Sequence, residues 1–168
     1  MSGLFYHDVL QAFQDAKVPV VVVGGVALNL RGVQRSTSDL DVAISLDNAS
    51  LPAAVEIVQR LGMRCRLPEP ESRFSDPALV REWVQDRNLV ALKFTDPKDP
   101  LREVDLVVGS PVPFRELERG ATRVKAGGLS FRVASVRDLI RMKSVTGRAV
   151  DQDDVADLKR LLELSRDR

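Results

Sequence analysis

Three aspartates and a pair of glycines are the residues of this chain best suited to chemistry. Asp39-Leu40-Asp41 opens an apolar, β-prone run. Side chains alternate along a strand, so the two carboxylates face the same way. Like charges on one strand face repel, and strand interiors disfavour Asp. The pair therefore asks for a positive partner, and Mg²⁺ meets that need. It takes oxygen ligands and commonly combines one or two carboxylates with substrate phosphates. A two-metal arrangement, with ions about 3.5–4 Å apart, needs a third carboxylate. Asp105 supplies it from within Glu103-Val104-Asp105-Leu106-Val107-Val108, an apolar strand where a bare carboxylate is costly to bury. Glu103 shares its face by period and is the fallback. Ahead of them, Gly24-Gly25 is a turn that lets backbone N–H groups near a helix N-terminus approach a phosphate. Asp39 ending the Ser36-Thr37-Ser38 loop and Asp105 in a buried ion pair are the plainer roles. The conjunction favours a site for a metal-bound nucleoside triphosphate.

The elements that must hold these residues are legible in outline. Leu4, Phe5, Val9, Leu10 and Phe13 give Gly3–Lys17 a helical period. Val18–Val23 reads as a buried strand, Val26–Arg31 as a short helix and Leu40–Ser45 as a second strand. Pro52–Leu61 is an amphipathic helix stopped by Gly62. Asp76 caps a helix from Pro77 to Arg87. Leu89–Phe94 and Val104–Val108 read as antiparallel neighbours joined by the Asp96-Pro97-Lys98-Asp99-Pro100 turn. A short helix near Phe114–Glu118 precedes two strands, Thr122–Ala126 and Leu129–Val133, around Gly127-Gly128. Ser135 caps a helix from Val136 to about Thr146, and a last helix runs from Asp151 to about Ser165. This order predicts an α+β fold, a mixed sheet packed by helices.

Length and composition set the bounds. The 168 residues predict one domain, with a core to about residue 134 and a helical part over about 135–168. Formal charge is +1, so the balance as a whole carries no nucleic-acid footprint. Arg60, Arg64, Arg66, Arg73, Arg81 and Arg87 nevertheless make the segments outside the site Arg-rich, which tilts the reading toward an anionic acceptor. The longest apolar run, Val18–Val23, is far too short to span a membrane, and no signal peptide is read at the N-terminus. The single cysteine, Cys65, excludes an internal disulfide, fits a cytoplasmic protein and reads as a half-buried structural thiol. Trp83 reads as helix packing rather than as a base-stacking platform.

The segment Gly24-Gly25-Val26-Ala27-Leu28-Asn29-Leu30-Arg31-Gly32, followed by Arg35-x-Thr37-x-Asp39-Leu40-Asp41, resembles the opening motif of the DNA polymerase β-like nucleotidyltransferases. Within that superfamily it is similar to the minimal, AbiEii-like toxin branch; antibiotic nucleotidyltransferases share a related opening. The superfamily's third carboxylate, on a later apolar strand, matches Asp105. Lys143-Ser144-Val145-Thr146-Gly147-Arg148, with Asp153-Asp154-x-x-Asp157-Leu158, resembles the branch's C-terminal helical motif. Val150-Asp151-Gln152 departs from it by replacing the usual basic residue. Asp151, Asp153 and Asp154 also suit the first turn of a helix, where the macrodipole favours carboxylates.

The resemblance implies the nucleotidyltransferase type of fold, with a mostly antiparallel mixed sheet and C-terminal helices. It implies transfer of a nucleoside monophosphate from an NTP, such as ATP, to an acceptor hydroxyl with release of pyrophosphate. Asp39, Asp41 and Asp105 would be catalytic and would hold Mg²⁺, as two ions. Gly24, Gly25, Arg35, Thr37 and Lys143 would bind the nucleotide, with Arg31 as a further phosphate partner. The toxin-like branch implies a tRNA or protein acceptor and an antitoxin partner. The alternatives are an antibiotic (aminoglycoside-type) acceptor and a catalytically silent nucleotide-binding module.

Overall fold

The computed structural model describes residues 6–166. Leu4 and Phe5, expected in the first helix, lie outside the described residues. Helix α1 (His7–Asp15) buries Val9, Leu10 and Phe13. Strand β1 (Val21–Val23) runs directly into helix α2 (Gly24–Arg31), followed by strand β2 (Asp39–Ala43) and helix α3 (Ser50–Arg60). After β3 (Arg64–Cys65) and a 3-10 turn over Glu71–Ser75 comes helix α4 (Pro77–Arg87). Strands β4 (Ala91–Asp96) and β5 (Asp99–Val107) precede helix α5 (Phe114–Gly120). Strands β6 (Thr122–Ala126) and β7 (Leu129–Val133) lead to helices α6 (Val136–Ser144) and α7 (Ala149–Arg166). The seven strands form one mixed sheet in the order β3-β4-β5-β2-β1-β7-β6. The β2–β5 and β1–β7 pairs are parallel and the rest antiparallel.

The sheet is two-faced where it carries the aspartates. Leu40 and Val42 of β2, Val104 and Leu106 of β5, and Leu92 and Phe94 of β4 are all buried. Residues alternate across a strand, so Asp39, Asp41, Glu103, Asp105, Lys93 and Thr95 share the opposite face. On the apolar side Phe74 lies edge-on to both Phe94 and Trp83, with centroids 6.3 and 6.2 Å away, seating α4 and the 3-10 turn on β4. Trp83 is therefore core packing, as read from the sequence. Strand β1, flanked by β2 and β7, is buried at all three residues, which explains its unbroken valine run.

Several local expectations hold. Asp76 caps α4, accepting from the Ala78 and Leu79 N–H groups at 3.0 and 3.2 Å. Ser135 caps α6, accepting from Asp138 N–H at 3.1 Å. Others shift. Helix α2 begins at Gly24 rather than Val26, and α7 at Ala149 rather than Asp151. Strand β5 begins at Asp99, inside the expected turn. Strand β3, two residues long, is too short to show a period and was not anticipated. Among the described residues no helix is long and apolar enough to cross a membrane.

Candidate active site

Register brings the three aspartates together. The parallel β2–β5 ladder sets Asp41 beside Asp105 and Asp39 beside Glu103. One carboxylate oxygen from each of Asp39, Asp41 and Asp105 lies within 4.8 Å of the others. Glu103 is committed elsewhere: it meets Arg66 Nη2 at 2.9 Å and Lys93 Nζ at 3.6 Å. Asp105 is 4% exposed, and its Oδ1 is buried with no hydrogen-bond partner. An unpaired buried carboxylate oxygen is costly unless a cation or proton meets it. Burial, and then the negative charges of Asp39 and Asp105, push the Asp41 carboxyl up to about 7, against the pull of Lys93 and Lys143. Burial likewise raises Asp105, against the pull of Lys93. Asp105 Oδ1 is left without a partner, and the all-oxygen donor set of the cluster suits Mg²⁺.

Lys93 is the site residue that sequence reasoning missed. It sits across the β4–β5 ladder from Asp105. Its Nζ donates to Asp105 Oδ2 at 2.7 Å, while the side chain stays 51% exposed. One oxygen of Asp105 is thus anchored and the other left free.

The glycines serve the aspartates directly. Gly24 has φ +65°, and a Cβ there would stand 2.0 Å from Asp41 Oδ2 and 2.6 Å from its Cγ. A Cβ on Gly25 would stand 2.7 Å from both Cβ and Oγ1 of Thr37. The Thr37 hydroxyl in turn donates to Asp39 Oδ1 at 2.9 Å. Each glycine therefore admits a site side chain against the start of α2.

Further cations lie on either side of the aspartates in the chain. Lys143 Nζ lies 3.0 Å from Asp151 Oδ1 and 2.9 Å from Asp154 Oδ2. Arg35 Nη1 lies 3.0 Å from Asp154 Oδ1. Asp154, 3% exposed, thus ties the loop before β2 to α6. Asp157 pairs with Arg160 on the exposed side of α7. Arg31 is spent on structure, donating to the Ala134 and Val133 carbonyls at 2.9 and 2.7 Å. The Arg-rich segments are also engaged. Arg60 meets Glu56, Arg64 meets Glu71, Arg73 and Arg87 share Glu69, and Arg81 donates to the Leu46 carbonyl. With Arg66 on Glu103, all of these arginines but Arg81 pair with carboxylates.

Asp151 gives a pH prediction. Burial raises its pKa, but hydrogen bonds from Thr146, Lys143 and Arg148 outweigh that and hold it at about 2. A carboxylate whose folded pKa lies below its unfolded value of about 3.9 contributes stability above that value. The contribution is lost as pH falls toward 2. Far-UV circular dichroism with denaturant should show stability falling between about pH 4 and pH 2, a limb that Asp151→Asn flattens.

No protein family matches the sequence, and no curated protein does. Solved structures do match the fold. Lincosamide antibiotic adenylyltransferase LnuA, lincomycin-bound, superposes with a TM-score of 0.57 at 15% identity, covering 94% of this chain and 95% of that one. ANT(2")-Ia in complex with adenylyl-2"-tobramycin gives 0.55 at 14% identity, covering 96% and 94%. An antigenic nucleotidyltransferase-like protein from Paracoccidioides brasiliensis gives 0.54 at 15% identity, covering 96% and 76%. The α+β fold of this chain is that of the nucleotidyltransferases.

Proposed function

We propose that the protein is a divalent-metal-dependent nucleotidyltransferase, moving a nucleoside monophosphate from an NTP to an acceptor hydroxyl. The observation that carries this is the carboxylate cluster of Asp39, Asp41 and Asp105 on the open face of the sheet, with Asp105 Oδ1 unpaired. In this reading residues 1–168 are a single domain. The three carboxylates would hold Mg²⁺, as two ions, and the metal would offset charge on the triphosphate and on the leaving pyrophosphate. Asp105 takes the acceptor's proton at its free oxygen, while Lys93 holds the other. The acceptor oxygen bonds to the α-phosphorus, and pyrophosphate leaves with the electron pair of the broken P–O bond. Arg35 and Lys143, joined through Asp154, would neutralise that leaving charge. Gly24 and Gly25 leave the backbone at the start of α2 open to the phosphates, and Thr37 fixes Asp39.

For the acceptor we favour a small hydroxylated molecule. The fold neighbours include the lincosamide antibiotic adenylyltransferase LnuA, lincomycin-bound, and ANT(2")-Ia in complex with adenylyl-2"-tobramycin. The Arg-rich segments that pointed to an anionic macromolecule are paired. A tRNA or protein acceptor, with an antitoxin partner, is the second reading. It rests on the Lys143–Asp154 contact, which unites the two halves of the toxin-like motif. The test is incubation with each α-labelled NTP and Mg²⁺, against hydroxylated antibiotics, total RNA and lysate protein. Label in the first pool supports the favoured reading, label in RNA or protein the second, and label in none sinks nucleotidyl transfer.

Lys93→Met is expected to lower kcat by about 10–100-fold, the scale typical of groups that orient a site ligand. The KM for NTP should change little, and Lys93→Arg should recover most of the loss. A Lys93→Met enzyme with wild-type kcat would remove Lys93 from the mechanism.

A further inference from the structure

A cavity of about 400 Å³ opens beside Asp41, Gly24 and Lys143. That volume lies in the range of small-molecule sites. Its position makes it the space next to the proposed triphosphate. Leu139, Met142, Val107 and Pro111 wall it. Val90 and Val145 stand at it while 59% and 67% exposed, large apolar side chains left toward solvent. Such walls suit the flat faces of a base.

The polar groups of the lining are mostly committed. Lys143 is held by Asp151 and Asp154. The Thr146 hydroxyl lies 2.6 Å from Asp151 Oδ2 and 3.0 Å from the Lys143 carbonyl. The Gly109 N–H donates to the Val90 carbonyl at 2.9 Å. Ser110 Oγ accepts from the Val112 N–H at 3.1 Å, which leaves its own proton unassigned, beside the third N–H of the Lys143 ammonium. Among the described residues, no Asn, Gln, Glu or Arg lines the cavity to read a base edge.

Bases are distinguished by the donors and acceptors on their edges. A site built to hydrogen-bond them discriminates by about 10⁴–10⁵, whereas an apolar pocket separates ligands by about 10–200-fold. We infer that the cavity binds the nucleoside of the donor by its faces, and that the protein accepts all four common NTPs with little preference among bases. This rests on the nucleotidyl-transfer reading and goes beyond it, because it fixes the breadth of the donor substrate.

The test is calorimetric titration of the full chain, in Mg²⁺, with non-hydrolysable α,β-methylene analogues of ATP, GTP, CTP and UTP. Four Kd values within about 10²-fold of one another are expected, and a wider spread overturns the inference while leaving transfer intact. Binding of none of the four would instead overturn the nucleotide reading itself. Met142→Ala, checked for an unchanged circular-dichroism spectrum, should weaken all four analogues to a similar degree. Weakening confined to one base would show that the cavity reads base identity, and would also overturn the inference. Ser110→Ala should leave the spread within the same limit; a collapse of binding for a single base would assign the readout to that hydroxyl and refute indifference.

Discussion

Asp41→Asn should abolish nucleotidyl transfer and at the same time make the metal-free protein more stable. The two effects share one cause. Asp39, Asp41 and Asp105 present oxygens within 4.8 Å of one another on a half-buried sheet face. At an effective dielectric constant of about 20, two unit charges at that separation repel by about 3 kcal/mol, and in bulk water by about 1 kcal/mol. Asn keeps the shape of Asp and removes one charge from the three. The gain in metal-free stability should therefore be about 1–3 kcal/mol, or about 2–4 °C of Tm per kcal/mol for a chain of this size. It is measured by thermal unfolding in EDTA at pH 8, where Asp41 is ionised. Adding Mg²⁺ should reverse the ranking, because wild type regains its missing positive partner and the variant cannot. Transfer should fall by about 10³-fold or more, the scale seen when a preorganised charge-stabilising group is lost. A destabilised Asp41→Asn protein, or one with full activity, would mean that the cluster is not a metal site.

Gly24→Ala should damage both stability and transfer through a single added methyl group. The added Cβ would stand 2.0 Å from Asp41 Oδ2, and Gly24 has φ +65°, where an L side chain is strained. Left-handed backbone costs about 1–2 kcal/mol for a residue with a Cβ. Overpacking a tight contact adds about 1–3 kcal/mol. Asp41 must swing away or the start of α2 must shift, and a displacement of about 1 Å in a reacting constellation can cost about 10²-fold in rate. The expected result is a loss of about 2–5 kcal/mol in urea unfolding and at least about 10²-fold in transfer. Gly25→Ala meets the side chain of Thr37 at 2.7 Å without a positive φ, and should be milder on both counts. A Gly24→Ala enzyme within tenfold of wild type would show that Asp41 can relocate freely.

The parts of this site that were readable are those encoded locally. Asp39 and Asp41 announce themselves because a strand has period two, and Asp105 because a carboxylate in an apolar strand is conspicuous. Their meeting is different. Parallel partners so far apart in the chain carry no local signal of register, so the pairing of Asp41 with Asp105 rather than with Glu103 had to be observed. Lys93 was hidden by geometry. Counting back from the Asp96–Asp99 pair sets it opposite Arg102, but the register shift between Thr95 and Asp96 moves it to Asp105. The arginines misled because their partners are scattered: Arg66 is neutralised from β5, and Arg73 and Arg87 by the same Glu69. Arg31 looked free for phosphate since the carbonyls it serves lie more than a hundred residues away.

The Asp154 bridge bears on the order in which a ribosome delivers this molecule. Strands β1, β2, β4 and β5 emerge first, and with them the three acidic groups. Arg35 is made early, but the carboxylate that joins it to Lys143 arrives only with the final helix. A nascent chain therefore carries its negative half long before its positive half is assembled. The joining of Arg35 to Lys143 waits on synthesis through residue 154.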